Sequence, residues 1–267
     1  MRSNKTYVYK DKMNDNFSER FLVQKSITGK YRYSRNTLND KFLHTVLYKL
    51  LAVPFAKRYM YKRFDHEIVG AEKLINQRGA YFLYGNHTHA LADACIPSVA
   101  AGRDISIVVE PRNLSFPIWG KIKPYLGALP LPSDEDAAKN FVREIKVRMA
   151  KKQPVMLYPE KNVWPYYTDI RPFPAKLFRF PVQYNKPTCC ITNTYQATDG
   201  GKGYKIVSYV DGPIYPAKGL EPKESVSQLR DLVYLTMKKR ALNSNIELAN
   251  YVGAAKQSAE DADVKIG

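Results

Sequence analysis

Three short apolar runs, separated by segments of helical character, constrain the fold of this chain more than any other feature. The runs are residues 80–84, 105–109 and 154–158, and each consists almost wholly of apolar or aromatic side chains. Runs of that length without polar alternation are typical of strands buried on both faces of a sheet. Helices are predicted between them, over residues 92–101 and about 133–151. This alternation indicates an α/β fold.

The later part of the chain adds an antiparallel element. Residues 188–196 and 204–210 are rich in side chains favoured in strands, and a Gly-rich turn at 199–203 separates them, which predicts a hairpin. A final helix is predicted over residues 224–243. Parallel strands and a hairpin together give a mixed β-sheet flanked by helices, which we expect as a single α/β domain over residues 66–250.

The first quarter of the chain carries most of a large positive charge. The 267 residues have a formal net charge of +17, and residues 1–63 contain 15 Lys and Arg against 4 Asp and Glu. Such a balance favours an anionic partner. Residues 1–40 are predicted as a basic, polar extension. Residues 41–65 are predicted as an amphipathic helix that the Asn39-Asp40 pair caps and that Pro54 kinks.

Two interpretations of that amphipathic helix stay open. Its apolar side chains can lie in the headgroup layer of a membrane while its basic residues bind lipid phosphates, or they can pack on the protein's own domain. The sequence has no N-terminal apolar run of the signal-peptide type and no run of about 18 apolar residues that could span a bilayer. We expect a cytoplasmic protein, peripherally associated with the inner face of an anionic membrane, with a flexible tail over residues 251–267.

A turn sequence after the first apolar run carries the candidate catalytic residues. Gly85-Asn86 tolerates the backbone angles of a tight turn, so His87 is expected on a loop at the edge of the sheet, where α/β folds bind ligands. Asp93 can fold back from the first turn of the next helix and orient the imidazole as a general base. His89 and Asp93 are an alternative pair, because a spacing of four residues places both on one helical face. We favour His87.

These residues resemble the first motif of the glycerophospholipid acyltransferases that acylate lysophosphatidic acid, the 1-acylglycerol-3-phosphate acyltransferases, in which Asn-His is followed by Asp. The family places four residues between His and Asp, whereas five separate His87 from Asp93. Three further blocks resemble the family in order and spacing. They are Val109–Leu114 with Gly127–Pro130, Leu157–Glu160, and Phe180–Val182 with Lys186–Thr192.

The resemblance implies an O-acyltransferase that moves a fatty acyl group from an acyl thioester to a hydroxyl of a lysophosphatidate-like lysophospholipid, in phospholipid biosynthesis or remodelling. Acyl-CoA or an acyl carrier protein is the implied co-substrate, and no bound cofactor or metal is implied. His87 would act as the base and Asp93 would orient it. The implied substrate-binding residues are Asn86, Arg112, Gly127, Glu160, Lys161 and Arg171.

The chain departs from the family at the residues that grip the acceptor's phosphate. After Glu160 the family has Gly-Thr-Arg, whereas this chain has Lys161-Asn162-Val163. The arginine of the second block is replaced by Ser133 or Asp134. Arg171 is the first candidate to replace the missing arginines, because a guanidinium can bind phosphate through two hydrogen bonds.

Two other functions are consistent with parts of the sequence. A metal-dependent hydrolase could use His87, His89 and Asp93 as ligands, although only His44 and His66 remain as further histidines. A non-enzymatic basic membrane-binding protein would explain the charge but not the His-Asp pair. No nucleic-acid motif accompanies the charge, so no nucleic-acid partner is expected. The oligomeric state and the identity of the acyl donor do not follow from the sequence.

Overall fold

The fold is described by a computed structural model that covers residues 5–17, 25–116, 118–200 and 203–255. Nine strands lie in these ranges. In chain order they are β1 (Lys5–Tyr9), β2 (Glu67–Val69), β3 (Phe82–Gly85), β4 (Ser106–Val109), β5 (Ala128–Pro130), β6 (Val155–Leu157), β7 (Thr188–Ala197), β8 (Tyr204–Ile214) and β9 (Ala249–Gly253).

Seven of these strands form one sheet in the order β2-β8-β7-β3-β6-β4-β5. The hairpin strands β7 and β8 are antiparallel, and every other neighbouring pair runs parallel. The sheet is therefore mixed, which confirms the predicted fold class. Residues 201 and 202 of the predicted hairpin turn lie outside the described ranges. The central strands β3 and β6 are buried along their whole length, which explains their continuous apolar sequence.

Eight α-helices accompany the strands in the described ranges. They are α1 (Leu38–His44), α2 (Val53–Phe64), α3 (Glu72–Ile75), α4 (Ala92–Ala101), α5 (Trp119–Ile122), α6 (Glu135–Ala150), α7 (Arg179–Tyr184) and α8 (Pro222–Ala241). A π-helical stretch, Thr45–Ala52, joins α1 to α2, and 3₁₀ turns lie at Pro111–Leu114, Lys123–Leu126 and Ala175–Phe178. Helix α4 has the predicted bounds, and α6 and α8 begin and end within two residues of theirs.

Helices cover both faces of the sheet. Successive side chains of a strand point to opposite faces, and β3 follows this rule. Phe82 and Tyr84 pack in a core with side chains from α6, α7 and α8, whereas Leu83 packs in a second core with α2 and α4. The result is a three-layer arrangement in which the sheet lies between two layers of helices.

The predicted amphipathic helix is present but begins earlier than predicted. Thr37, rather than Asn39-Asp40, is the N-cap: its hydroxyl accepts from the backbone N–H of Asp40, whose carboxylate accepts from the N–H of Thr37. Pro54, predicted to kink the helix, lies in the first turn of α2, and a π-helical stretch precedes it that ends with a bond from the N–H of Val53 to the carbonyl of Tyr48. A proline cannot donate to this ladder, so the wide turn ends at Pro54.

This helical segment has a buried side and an exposed apolar side. Met60 and Phe64 are buried in the core shared with α4. Six large apolar or aromatic side chains of the same segment are more than half exposed. They are Leu38, Phe42, Leu50, Leu51, Phe55 and Tyr61. The packing on the domain that the sequence allowed is therefore observed, and a second apolar surface remains outside it.

The two ends of the described chain meet in a separate two-stranded sheet, because β1 and β9 pair in parallel. Tyr251 of β9 stacks on Tyr7 and on Trp164, with ring centroids 5.0 and 4.9 Å apart. The indole N–H of Trp164 donates to the carbonyl of Asp15 at 2.9 Å. Part of the predicted N-terminal extension thus packs on the loop that follows β6.

These contacts correct the predicted domain boundaries. Strand β9 continues to Gly253, so the boundary predicted at residue 250 falls inside a strand, and residues 251–253 do not belong to a flexible tail. Residues 1–4 and 18–24 of the predicted extension, and 256–267 of the predicted tail, lie outside the described ranges. No helix within those ranges combines the length and the apolar character needed to cross a bilayer.

Candidate active site

The candidate site lies at the edge where β3, β6, β4 and β5 end, which we call the rim. It is formed by the segments 86–89, 110–112 and 158–161, which follow β3, β4 and β6. These strands are parallel, so their carboxyl ends meet at one edge. Because β6 lies between β3 and β4, the first two segments are roughly 10 Å apart, twice the spacing of neighbouring strands.

His87 and Asp93 are in direct contact at the rim. The Nδ1 atom of His87 lies 2.8 Å from the Oδ2 atom of Asp93. Asp93 is in the first turn of α4 and is buried, whereas the side chain of His87 is 20% exposed. An ionised carboxylate only accepts, so Nδ1 carries the proton and Nε2 has the lone pair of a base. No described residue bonds to Nε2.

Backbone groups of the same loop fix the carboxylate. Asp93 Oδ2 also accepts from the N–H groups of Thr88 and His89, each at 2.8 Å. The ring of His87 stacks on Tyr158, with centroids 4.4 Å apart, and the Tyr158 hydroxyl donates to the carbonyl of Asp93. The extra residue between His87 and Asp93, relative to the family motif, is therefore accommodated without loss of the pair.

Glu160 holds the backbone of the His87 loop. Its buried carboxylate accepts from the N–H of His87 at 2.9 Å and from the N–H of Arg171 at 2.8 Å. The Arg171 guanidinium lies 3.4 Å from Glu160, donates to the carbonyl of Asn162 and sits over the ring of Trp164. Burial raises the pKa of Glu160, and the charge of Arg171 and the two backbone bonds oppose this shift.

Two residues predicted to bind substrate are instead committed to the protein's own structure. Arg171 has no exposed surface, so it cannot grip a phosphate in this arrangement. Asn86 is buried, and its amide donates to the carbonyl of Asn193 at 2.9 Å and accepts from the N–H of Asn193 at 2.8 Å. The Asn86 side chain thus continues the β3–β7 ladder past the end of β3 and anchors the turn that presents His87.

The remaining predicted residues differ in exposure. Gly127 has φ +88°, and a Cβ there would lie 2.5 Å from the carbonyl oxygen of Ile105, so this glycine serves the turn before β5. Arg112 is half-buried and pairs with Glu110 at 2.6 Å. Lys161 is exposed and adopts φ +66° at the position where the family has glycine. Arg112 and Lys161 stay candidates for contact with substrate.

His89 packs against neighbouring side chains, and its ring is not the one that contacts the side chain of Asp93. Its Nδ1 atom accepts from the N–H of Ala92 at 3.1 Å, and its ring lies edge-on to Phe64 and Tyr166. Burial lowers the pKa of His89. Within the described ranges, no three His, Cys, Asp or Glu side chains are grouped as metal ligands, so the hydrolase alternative gains no support from this cluster.

Two contributors to the site were not predicted. Tyr158 supplies the ring under His87, and Asn193 donates to Asp93 Oδ1 at 3.2 Å. Asn193 gave one signal that could have been used, because asparagine is uncommon in strands and lies here within the predicted strand 188–196. Tyr158 gave none, since a tyrosine at the end of an apolar strand is common.

Comparison with known proteins bears on the fold. The structure is similar to the crystal structure of the 1-acyl-sn-glycerophosphate (LPA) acyltransferase PlsC from Thermotoga maritima, with a TM-score of 0.52 and 15% sequence identity over 78% of this chain and 84% of that chain. A structure of the Euglena gracilis mitochondrial ATP synthase overlaps with a TM-score of only 0.19 and 8% identity, over 76% of this chain and 75% of that one, which carries no argument.

Sequence comparison adds nothing further: no profile of a known protein family matches the chain, and no curated protein sequence matches it. At 15% identity, the likeness to PlsC concerns architecture. It covers most of both chains and agrees with the mixed sheet flanked by helices. The chain shares its fold with PlsC from Thermotoga maritima.

Proposed function

We propose that this protein is an O-acyltransferase that moves a fatty acyl group from an acyl thioester to a hydroxyl of a lysophospholipid similar to lysophosphatidate. The observation that carries the proposal is the 2.8 Å contact between His87 and Asp93 on a fold shared with PlsC, a 1-acyl-sn-glycerophosphate acyltransferase. The contact leaves Nε2 of a partly exposed imidazole as a base. A basic membrane-binding protein without activity would have no need of such a pair.

The proposed chemistry uses the substrate as nucleophile. Nε2 of His87 takes the proton of the acceptor hydroxyl while that oxygen attacks the thioester carbonyl. The tetrahedral intermediate collapses by breaking the C–S bond, and the imidazolium returns its proton to the departing thiolate. The products are an ester and a free thiol. Asp93 stays ionised throughout and stabilises the imidazolium, as in a Ser-His-Asp relay.

The acceptor's phosphate is expected on the exposed cations of the rim. Arg112 and Lys161 are the predicted residues that keep exposed surface there. Arg112 can exchange its pairing with Glu110 for a phosphate, because a partly exposed ion pair holds its partners only weakly. The donor in this proposal is acyl-CoA or an acyl carrier protein, and its thiol leaves toward solvent.

A membrane surface is the proposed source of the acceptor. The exposed apolar side chains Phe42, Leu50, Leu51 and Phe55 are accompanied by exposed Lys41, Lys57 and Arg58 on the same helical segment. Apolar side chains can enter the headgroup boundary while the cations contact lipid phosphates. Replacing Leu51 and Phe55 by Glu should reduce sedimentation with phosphatidylglycerol vesicles, whereas Leu235→Glu, an exposed leucine on α8, should not.

The decisive experiment is an acyl-transfer assay. Purified protein is incubated with a labelled acyl-CoA or acyl carrier protein and a panel of lysophospholipids, and the products are identified by lipid mass spectrometry. We expect a diacyl product that His87→Gln abolishes and that His89→Gln, the matched control on the same loop, retains. Absence of any product across the panel, or full activity of His87→Gln, would overturn the proposal.

A further inference from the structure

A line of buried polar side chains continues from Asp93 into the sheet. Asn193 Nδ2 lies 3.2 Å from Asp93 Oδ1, and Asn193 Oδ1 lies 2.7 Å from the Ser208 hydroxyl. Ser208 Oγ in turn lies 2.8 Å from Nε2 of His66. Asp93, Asn193 and Ser208 are almost completely buried. The line crosses from the rim through β7 and β8 to the turn that joins α2 to β2.

The direction of every hydrogen bond in this line follows from its partners. The carboxylate of Asp93 only accepts, so the amide nitrogen of Asn193 faces it and the amide oxygen faces Ser208. Ser208 must therefore donate to Asn193, which leaves its oxygen to accept from His66. Burial lowers the pKa of His66 to about 4, so at neutral pH this histidine is uncharged and donates through Nε2–H.

Asn193 supplies the one hydrogen bond that Asp93 Oδ1 accepts from the described residues. The backbone of Asn193 is itself fixed, because both its N–H and its carbonyl bond to the amide of Asn86. Only the rotation of its side-chain amide remains free. A rotated amide would place its oxygen against the carboxylate of Asp93, and the hydroxyl of Ser208 disfavours this state by donating to the oxygen.

We propose that Asn193, Ser208 and His66 are positioning residues for the His87–Asp93 pair, each fixing the next along a one-way line of hydrogen bonds that ends at the carboxylate. This inference rests on the proposed function for its kinetic consequence. Its structural consequence does not depend on the reaction, because the line sets the orientation of Asp93 and through it the Nδ1–H tautomer of His87.

The kinetic test removes one member at a time. Asn193→Leu should lower kcat by about 10- to 100-fold, and Ser208→Ala and His66→Leu by progressively less, about 3- to 10-fold, because they act through more bonds. KM for both substrates should stay within about twofold, since none of the three touches substrate. His66→Gln should restore most of the loss, because its amide can donate to Ser208.

Thr194→Val is the matched control. Thr194 is the neighbour of Asn193 on β7, is buried, and donates to the carbonyl of Val207 at 2.9 Å without touching the line. It should lower stability without lowering kcat. A role confined to folding would instead give all the variants reduced stability and unchanged kcat, and that result would overturn the proposal.

Nitrogen-15 NMR of the histidine rings gives the second readout. The His87 signals, identified by their loss in His87→Gln, should report the Nδ1–H tautomer in the wild type. They should shift toward a mixture of tautomers in Ser208→Ala and His66→Leu but not in Thr194→Val. Unchanged His87 signals in both variants would refute the line. Failure of the lipid panel would refute the proposed reaction and leave this readout intact.

Discussion

The rim has two parts that are built differently. In the ordered part, which comprises His87, Asp93 and Glu160 with their partners, the two carboxylates are buried and accept hydrogen bonds from backbone and side-chain donors of the protein. In the open part, formed by Glu110, Arg112 and Lys161, the charged groups are partly or fully exposed. Atoms that must be aligned to within a fraction of an ångström need buried, hydrogen-bonded surroundings such as those of the ordered part. Groups that only attract a charged ligand can be exposed, as they are in the open part.

The strongest test of the ordered part is Asp93→Asn. The amide must either turn its NH₂ toward the N–H groups of Thr88 and His89 or turn it toward the amide of Asn193, so two donors meet in both cases. His87 also loses the anion that stabilises its charged form. We expect kcat to fall by about 10³- to 10⁴-fold. A loss below about tenfold in steady-state kinetics would show that the pair does not act as proposed.

The loss of unfolding free energy on breaking an ion pair should differ between the ordered part and the open part. Glu160→Gln leaves the buried charge of Arg171 uncompensated, so the free energy of unfolding should fall by about 3–5 kcal/mol. The matched change Glu110→Gln, beside the partly exposed Arg112, should cost less than about 1 kcal/mol. Urea unfolding measures both. Equal losses would mean that the two parts do not differ as described.

A smaller effect is expected at Lys161, which has a left-handed backbone at the edge of the open part. Lys161→Gly should raise the free energy of unfolding by about 1 kcal/mol, because glycine adopts this conformation without strain. The KM for a phosphate-bearing acceptor should rise several-fold if the ammonium binds it, while the KM for an uncharged acceptor stays constant.

Lys152→Gly is the control for that substitution. Lys152 also has a positive φ, of 57°, but it precedes β6 and lies at the opposite edge of the sheet. It should give the same gain in stability with no change in the KM of either acceptor. A rise in KM for both variants, or for neither, would remove Lys161 from the acceptor site.

The smallest effect concerns the attachment of the N-terminal helix to the segments that precede β4 and β5, at the edge of the sheet opposite the rim. His44 faces two acceptors, the carbonyl of Tyr125 at 2.7 Å and the carboxylate of Asp104 at 3.1 Å, so its charged form is favoured. The hydrogen bond to Asp104, together with that to the carbonyl of Tyr125, raises the pKa of His44 above its usual 6.5. Burial and the charge of Lys49 lower this pKa but do not outweigh the two bonds. The contribution of charged His44 to the free energy of unfolding is therefore complete below its usual pKa. It disappears as the pH rises through the raised pKa of the folded protein.

His44→Gln should therefore reduce the free energy of unfolding by about 1 kcal/mol or less near pH 5.5, and by a smaller amount near pH 8.5. Urea midpoints of both proteins at the two pH values measure this difference. A loss that grows toward alkaline pH would contradict the assignment of a charged His44.

The sequence predicted what depends on local pattern. Continuous apolar runs identify buried parallel strands, and an Asn-His turn with an acid in the next helix predicts the contact between His87 and Asp93. The sequence did not predict features that depend on the tertiary environment of a residue. A loop arginine such as Arg171 has the same local sequence signal whether it faces solvent or a buried carboxylate. The pairing of β1 with β9 joins segments from opposite ends of the chain, and neither segment alone indicates its partner.

The β1–β9 pairing also sets an order of events during synthesis. The loop after β6 carries Trp164, whose backbone N–H donates to the carbonyl of His87. The ring of Trp164 is covered by the stacked ring of Tyr251 from β9. A nascent chain can complete this cover only after β9 has emerged from the ribosome. The loops of the rim are therefore expected to acquire their final rigidity only after β9 has been translated, when the two ends of the described chain come together.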